Sequence, residues 1–392
     1  MGRIIVFTGK GGVGKTSVAS SHGMMAARKG KKTLIMSTDM AHNLCDIFGR
    51  PIGREVVAIN ENLDAVEIDP NFEMERHYGS IKRAMNEILF NKRFTDEKED
   101  DYEDLMIIPG LEELFSLLKI MEMYELGKYD VIIVDCAPTG ETLSLLKFPE
   151  LFAWYMEKLF PLEKIALKVL RPISKYAMKL ELPDDETMND VEKLYVKLIK
   201  LQELLKDRAV TSIRLVTIPE KMVVEETKRN YMYLNLYNFN VDALFINRII
   251  PDEAADEFFE GWKENQKGYI RELEEVFCEM PIYYIKWYSE EISGEAAIDK
   301  ISKESFDEAE VLEVLKQTEG ERFNKTEKGY ELIMRLPFAE KRELDLVEAA
   351  TELVIKVGNF KRNIPLPLAL RKYQVSGAKF DEGILKITFE SR

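Results

Sequence analysis

Ile4-Ile5-Val6-Phe7-Thr8 runs without a break into Gly9-Lys10-Gly11-Gly12-Val13-Gly14-Lys15-Thr16, and Ser17 follows directly. The first five residues form a short apolar run of the kind buried in a parallel sheet. The next eight fit G-x-x-x-x-G-K-[ST], whose glycines let successive N–H groups curl around an anion at the positive end of the next helix. In that pattern Lys15 reaches the β- and γ-phosphates and the Thr16 hydroxyl ligates Mg2+. Residues 17–29, with Val18, Ala19, Met24, Ala26 and Ala27, read as a helix of small residues. Strand, loop and helix therefore fall in the order that phosphate binding requires. The expected fold class is α/β, a mostly parallel sheet flanked by helices.

Thr33-Leu34-Ile35-Met36-Ser37-Thr38 reads as a second buried strand ending in Asp39. A carboxylate at the carboxyl end of a strand beside the phosphate loop stands where catalytic groups collect in open α/β sheets, placed to orient or deprotonate water. Val131-Ile132-Ile133-Val134 ends in Asp135, an apolar run plus acid that suits a Mg2+ shell. Pro138-Thr139-Gly140 follows as a switch segment. Taken singly, each aspartate reads as a strand-end residue; beside the loop, the functional reading prevails. Lys10, early in the loop, is either a solvated lysine or a charge that reaches a partner subunit's nucleotide, as an arginine finger does.

The 392 residues are 46% apolar and carry a net charge of −15, enough chain for two or three domains. So acidic a surface repels phosphate backbones, which argues against a nucleic-acid partner. No uncharged stretch exceeds 12 residues (16–27 and 230–241), short of the roughly 20 needed to span a bilayer. With a glycine loop this close to the start, no signal peptide is expected. Cys45, Cys136 and Cys278 are scattered and form neither a disulfide framework nor a CxxC clip. A reducing, cytoplasmic setting is expected.

These motifs together resemble the arsenite-pump ATPases and the guided-entry ATPases that carry tail-anchored membrane proteins. Gly9 to Thr16 matches the deviant loop KGGVGKT. Ser37-Thr38-Asp39-Met40-Ala41-His42 resembles the first switch, and Asp135-Cys136-Ala137-Pro138-Thr139-Gly140 the second. Val66-Glu67-Ile68-Asp69-Pro70, Ile218-Pro219-Glu220 and Glu226-Thr227 are further matches. The resemblance implies ATP and Mg2+ as cofactors and a homodimer. It implies that Lys10 acts in trans, Lys15 and Thr16 bind phosphate and metal, and Asp39 activates water. Asp135 would anchor the metal shell, Asn247 contact adenine and Glu220 line the nucleotide site. Met40 departs from the usual proline and Glu141 from a common histidine. Cys278 stands without a CxxC partner, so no zinc is expected. One phosphate loop and no cysteine triad weigh against a metalloid site.

The expected layout is an ATPase domain over 1–320, with helical inserts at about 72–126 and 151–207, and a β domain over 321–392. Residues 151–182 are rich in large apolar side chains, either a packed helical core or a groove for a hydrophobic client. Val191, Leu194, Leu198, Leu201 and Leu205 mark one face of a helix. Tyr330–Leu336 and Glu352–Val357 alternate as strands, with turns at Gly358-Asn359 and Asp381-Glu382-Gly383. The ending Gly377–Phe389 resembles the closing hairpin of the α-crystallin (small heat-shock) domain, and Arg362–Pro367 its strand-to-loop passage. That implies a small all-β sandwich. Two functions fit: an ATP-driven switch for hydrophobic protein clients, membrane-protein segments among them, or an ATPase subunit energising arsenite or anion efflux. A DNA- or membrane-partitioning ATPase fits less well, for want of a basic surface and a C-terminal amphipathic helix.

Overall fold

The computed structural model describes residues 2–39, 43–76, 111–137, 146–147, 190–254, 257–306, 312–317, 320–349, 352–366 and 369–391. The opening run becomes β1 (Arg3–Thr8), and the loop delivers the chain into α1 (Lys15–Arg28). Then come β2 (Thr33–Ser37), α2 (Asn43–Phe48), β3 (Val57–Ala58), β4 (Leu63–Glu67), α3 (Leu111–Glu125) and β5 (Val131–Asp135). The first part closes with α4 (Asp190–Lys206), β6 (Thr211–Thr217), α5 (Lys221–Leu236), β7 (Val241–Ile249), α6 (Glu257–Val276), β8 (Ile282–Lys286) and α7 (Glu295–Ser305).

These strands make one eight-stranded sheet in the order β3-β4-β2-β5-β1-β6-β7-β8, parallel except for the short β3–β4 pair. β1 lies at its centre, hydrogen-bonded to β5 and β6, so the end of β1 is flanked by the ends of both. Its side chains alternate between two cores. Ile5 and Phe7 join Val18, Ala19, Ile298 and Ile301 of α1 and α7 on one face. Ile4 and Val6 join Leu114, Leu198, Leu201 and Val224 of α3, α4 and α5 on the other. Burial on both faces is why the strand reads as unbroken apolar sequence. Each such side chain contributes about 1.5–3 kcal/mol. The small residues of α1 let it lie close to the sheet: a Cβ on Gly23 would stand 2.4 Å from Ile35 Cδ1.

Of the expected helical inserts, residues 70–76, α3 and α4 are helical. Leu198, Leu201 and Leu205 of α4 are buried in the core, as their spacing predicts. Residues 77–110, which hold the acidic stretch 96–104, and the apolar segment 151–182 lie outside the described residues.

The C-terminal part is antiparallel throughout. β9 (Arg322–Lys325), β10 (Gly329–Arg335), β14 (Tyr373–Asp381) and β15 (Ile384–Ser391) form one sheet in the order β14-β15-β10-β9. β11 (Leu344–Glu348), β12 (Glu352–Val357) and β13 (Phe360–Pro365) form a second. The closing hairpin of the sequence reading is β14–β15, turned at Glu382 and Gly383, both at positive φ (46° and 73°). Leu332, Met334, Ile355, Ile387 and Phe389 share a core with Tyr231, Leu236 and Phe277 of the first part. Arg362 seals that contact by donating from Nη1 to Leu236 O (2.7 Å) and to Glu321.

Candidate functional site

Glycine is required in the loop for reasons that can be measured. A Cβ on Gly9 would stand 2.1 Å from Val216 O on β6, so only glycine lets β1 turn there. Gly12 and Gly14 take φ of +79° and +89°, where a side chain is strained. Gly14 caps α1, and a Cβ on it would meet Asn247 Nδ2 at 2.3 Å. Val13 is buried and pins the loop, while Gly11 and Gly12 face outward and Ser17 is half-buried. Lys15 is buried, with Nζ 3.4 Å from Lys10 O across the mouth of the loop.

Asp135 meets the loop at the end of β5. Thr16 Oγ1 donates to its Oδ2 at 2.7 Å, and its Oδ1 is buried with no hydrogen-bond partner among the described residues. Burial pushes the carboxyl up to about 7, with Thr16 and Lys15 pulling it down and Asp39 pushing it further up. A buried carboxylate with one unsatisfied oxygen beside a threonine hydroxyl fits a hydrated divalent cation, because both groups are hard oxygen donors. Thr16 and Asp135 would hold Mg2+ or its water.

Asp39 is half-buried at the end of β2, the strand beside β5. Its backbone N–H donates to Ser37 Oγ (3.2 Å), Thr38 N–H donates to Asp135 O (3.0 Å), and Ala137 N–H to Thr38 Oγ1 (3.3 Å). The chain after β2 and the chain after β5 therefore leave the sheet tied together. Met40, Ala41, His42, Pro138, Thr139 and Gly140 lie outside the described residues.

Asn247, on β7, does reach the loop: Nδ2 donates to Val13 O at 2.8 Å and Oδ1 accepts from Arg248 N at 2.9 Å. Glu220 is exposed at the start of α5, beyond the end of β6, and makes no side-chain cap bond there. Lys10 Nζ lies 2.5 Å from Glu226 Oε2, nearly two turns further along α5. Two side chains gain roles that the motifs do not assign. Glu226 holds Lys10 within its own chain. Glu67 Oε1 accepts the N–H groups of Leu44 and Cys45, both at 3.1 Å, and so caps the helix that follows the first switch. Both stood in quoted matches, but their partners are 216 and about 22 residues away.

The family profile described as "Anion-transporting ATPase" matches residues 2–306. The chain belongs to this family. A second profile, "HSP20-like domain found in ArsA", matches residues 327–389. The "Putative arsenical pump-driving ATPase 1" of Aquifex aeolicus is 35% identical over 390 residues, covering 97% of this chain and 98% of that protein. A "Putative arsenical pump-driving ATPase" of Chlorobaculum tepidum is 33% identical over 391 residues, 99% of this chain and 96% of the relative. The "ATPase get3" of Botryotinia fuckeliana is 30% identical over 318 residues, 77% of this chain and 88% of the relative. This protein is accordingly an ATPase, and its family implies nucleotide binding. Among the described residues, no helix is long and apolar enough to cross a membrane.

Proposed function

We propose that this ATPase is a Mg-ATP-hydrolysing switch that works as a homodimer in the cytoplasm and binds hydrophobic protein clients. The observation that carries the hydrolytic half is the Thr16–Asp135 pair with Asp135 Oδ1 left unbonded beside buried Lys15. Lys15 and the loop N–H groups of Gly11 to Thr16 grip the phosphates, and Asn247 reads the adenine with Glu220 at the rim. Bound Mg2+ supplies charge neutralisation on the phosphates. Asp39 orients and deprotonates the attacking water. Lys10, held by Glu226 in the single chain, exchanges that partner for the phosphates of the neighbouring subunit. The pair is partly exposed, at 36% and 27%, so it is worth about 0–1 kcal/mol and yields readily. Asp39 and Asp135 stand where the chain leaves β2 and β5 for the two switch motifs, so nucleotide state is sensed at the ends of both strands.

The client half rests on the apolar residues of 151–182 and on the HSP20-like domain match. We take residues 1–320 as the ATPase domain and 321–392 as a brace or second client surface. The test uses an Asp39→Asn chain loaded with Mg-ATP and a hydrophobic helical peptide. Nucleotide-dependent capture supports the reading; equal binding with ATP, ADP or neither removes it. A second reading, energising arsenite or anion efflux, is favoured by the names of the full-length relatives. Soft metalloids bind clustered thiolates. Here Cys45 sits on α2, Cys136 is buried after β5, and Cys278 is exposed after α6. Strong stimulation of hydrolysis by arsenite or antimonite would favour this second reading.

A further inference from the structure

β7 carries one residue more than its neighbour. Ile246 pairs with Tyr284 and Ile249 with Lys286, so three steps on β7 oppose two on β8. The excess falls on Asn247 and Arg248. Arg248 takes φ +56°, a left-handed conformation that a residue with a bulky side chain rarely adopts. With that backbone its N–H folds back onto Asn247 Oδ1 (2.9 Å), and the other end of the same amide reaches Val13 O (2.8 Å) in the phosphate loop.

One side chain holds the turn from outside the strand. Gln266 of α6 donates from Nε2 to Arg248 O (3.1 Å) and accepts Ile250 N–H on Oε1 (3.0 Å). It is only 7% exposed, and both ends of its amide are used. It serves the bulged backbone as a neighbouring strand would.

We propose that Gln266 is a positioning residue for base recognition: by clamping the left-handed turn at Arg248, it fixes which way the Asn247 amide faces. The proposal rests on Asn247 reading adenine. An asparagine amide has two N–H donors and two acceptor lone pairs, and one of each is already used here. The remaining N–H and lone pair match the N7 acceptor and N6 donor of adenine; guanine presents two acceptors at the same edge. Without the clamp, Arg248 relaxes to negative φ and its N–H leaves Asn247 Oδ1. The amide is then free to flip, and discrimination against guanine is lost.

The experiment measures the ratio of ATP to GTP affinity for the full chain, by competition against a fluorescent ATP analogue. Gln266→Leu is expected to lower that ratio about tenfold, toward the value for Asn247→Ala. Gln266→Glu preserves the packing and the acceptor but loses the donor to Arg248 O, and should shift the ratio in the same direction. Adding Arg248→Gly to Gln266→Leu should restore the ratio, because glycine adopts φ +56° without a clamp. A merely structural glutamine would not be rescued in base preference by a glycine 18 residues away. Wild-type ratios in both Gln266 variants, beside a collapsed ratio in Asn247→Ala, would overturn the positioning role, as would failure of the glycine rescue. An unchanged ratio in Asn247→Ala would instead overturn the base-reading role on which the proposal stands.

Discussion

Asp39 and Asp135 end adjacent strands, yet one stands half-open and the other is sealed against Thr16. Their roles divide accordingly. Asp39→Asn removes a base for water but no phosphate contact, so hydrolysis should fall by on the order of 10²-fold while nucleotide binding holds. A steady-state assay beside a nucleotide titration checks this; near-wild-type turnover would take Asp39 out of the chemistry. His22 offers a test of the core under the site. It lies among Phe7, Phe245 and Phe306, with Nδ1 2.7 Å from Val18 O, and burial followed by the Arg214 charge holds its pKa well below 6.5. The unfolded ring gains a proton near pH 6.5 and the folded ring does not, so stability is lost as pH falls below that value. The slope approaches about 1.4 kcal/mol per pH unit. Denaturant titrations at pH 7.5, 6.5 and 5.5 should show it, and His22→Leu should flatten it. An identical slope in the variant would refute the assignment. The phosphate loop and both aspartates were legible because contiguous residues carry them. The contacts of Glu67, Glu226 and Gln266 were not, since each acts on a partner that only the strand order brings near.

α5 is one element through which the two halves of the chain meet, beside Phe277 and Glu279 just past the end of α6. Near its start Glu226 holds Lys10, and further along Tyr231, Tyr233 and Leu236 pack against the β domain. Tyr237 Oη, just past its end, donates to Lys361 O at 3.0 Å. Arg362 is the polar clamp, only 3% exposed and bonded to both Leu236 O and Glu321. Arg362→Leu leaves a carbonyl and a carboxylate without their partner, which should destabilise the chain by about 1–3 kcal/mol. Thermal denaturation followed by circular dichroism measures that; an unchanged transition would mean water replaces the guanidinium. Period-two alternation made β10, β12 and the β14–β15 hairpin readable, and the glycine-containing turns fixed their ends. The docking of these strands on α5 was not readable, because Tyr231, Tyr233 and Tyr237 look like ordinary helix residues until the partner sheet is in place.

At the scale of the whole molecule, the shared core means that removing residues 321–392 would expose Tyr231, Leu236 and Phe277. Truncation should therefore cause association, seen as a concentration-dependent mass by light scattering. A monodisperse truncated chain would show that the β domain only rests on the ATPase part. The net charge of −15 would suit the proposed client carrier, since repulsion opposes non-specific association. In the proposed dimer, two chains complete each other's sites, Asp39 acting within its own chain and Lys10 across the interface. Lys10→Ala and Asp39→Asn chains should each be nearly inactive alone. In a heterodimer of the two, one site regains both groups, so ATP hydrolysis should return to roughly half the wild-type rate per dimer. No recovery in heterodimers verified by mass would contradict the role of Lys10 across the interface.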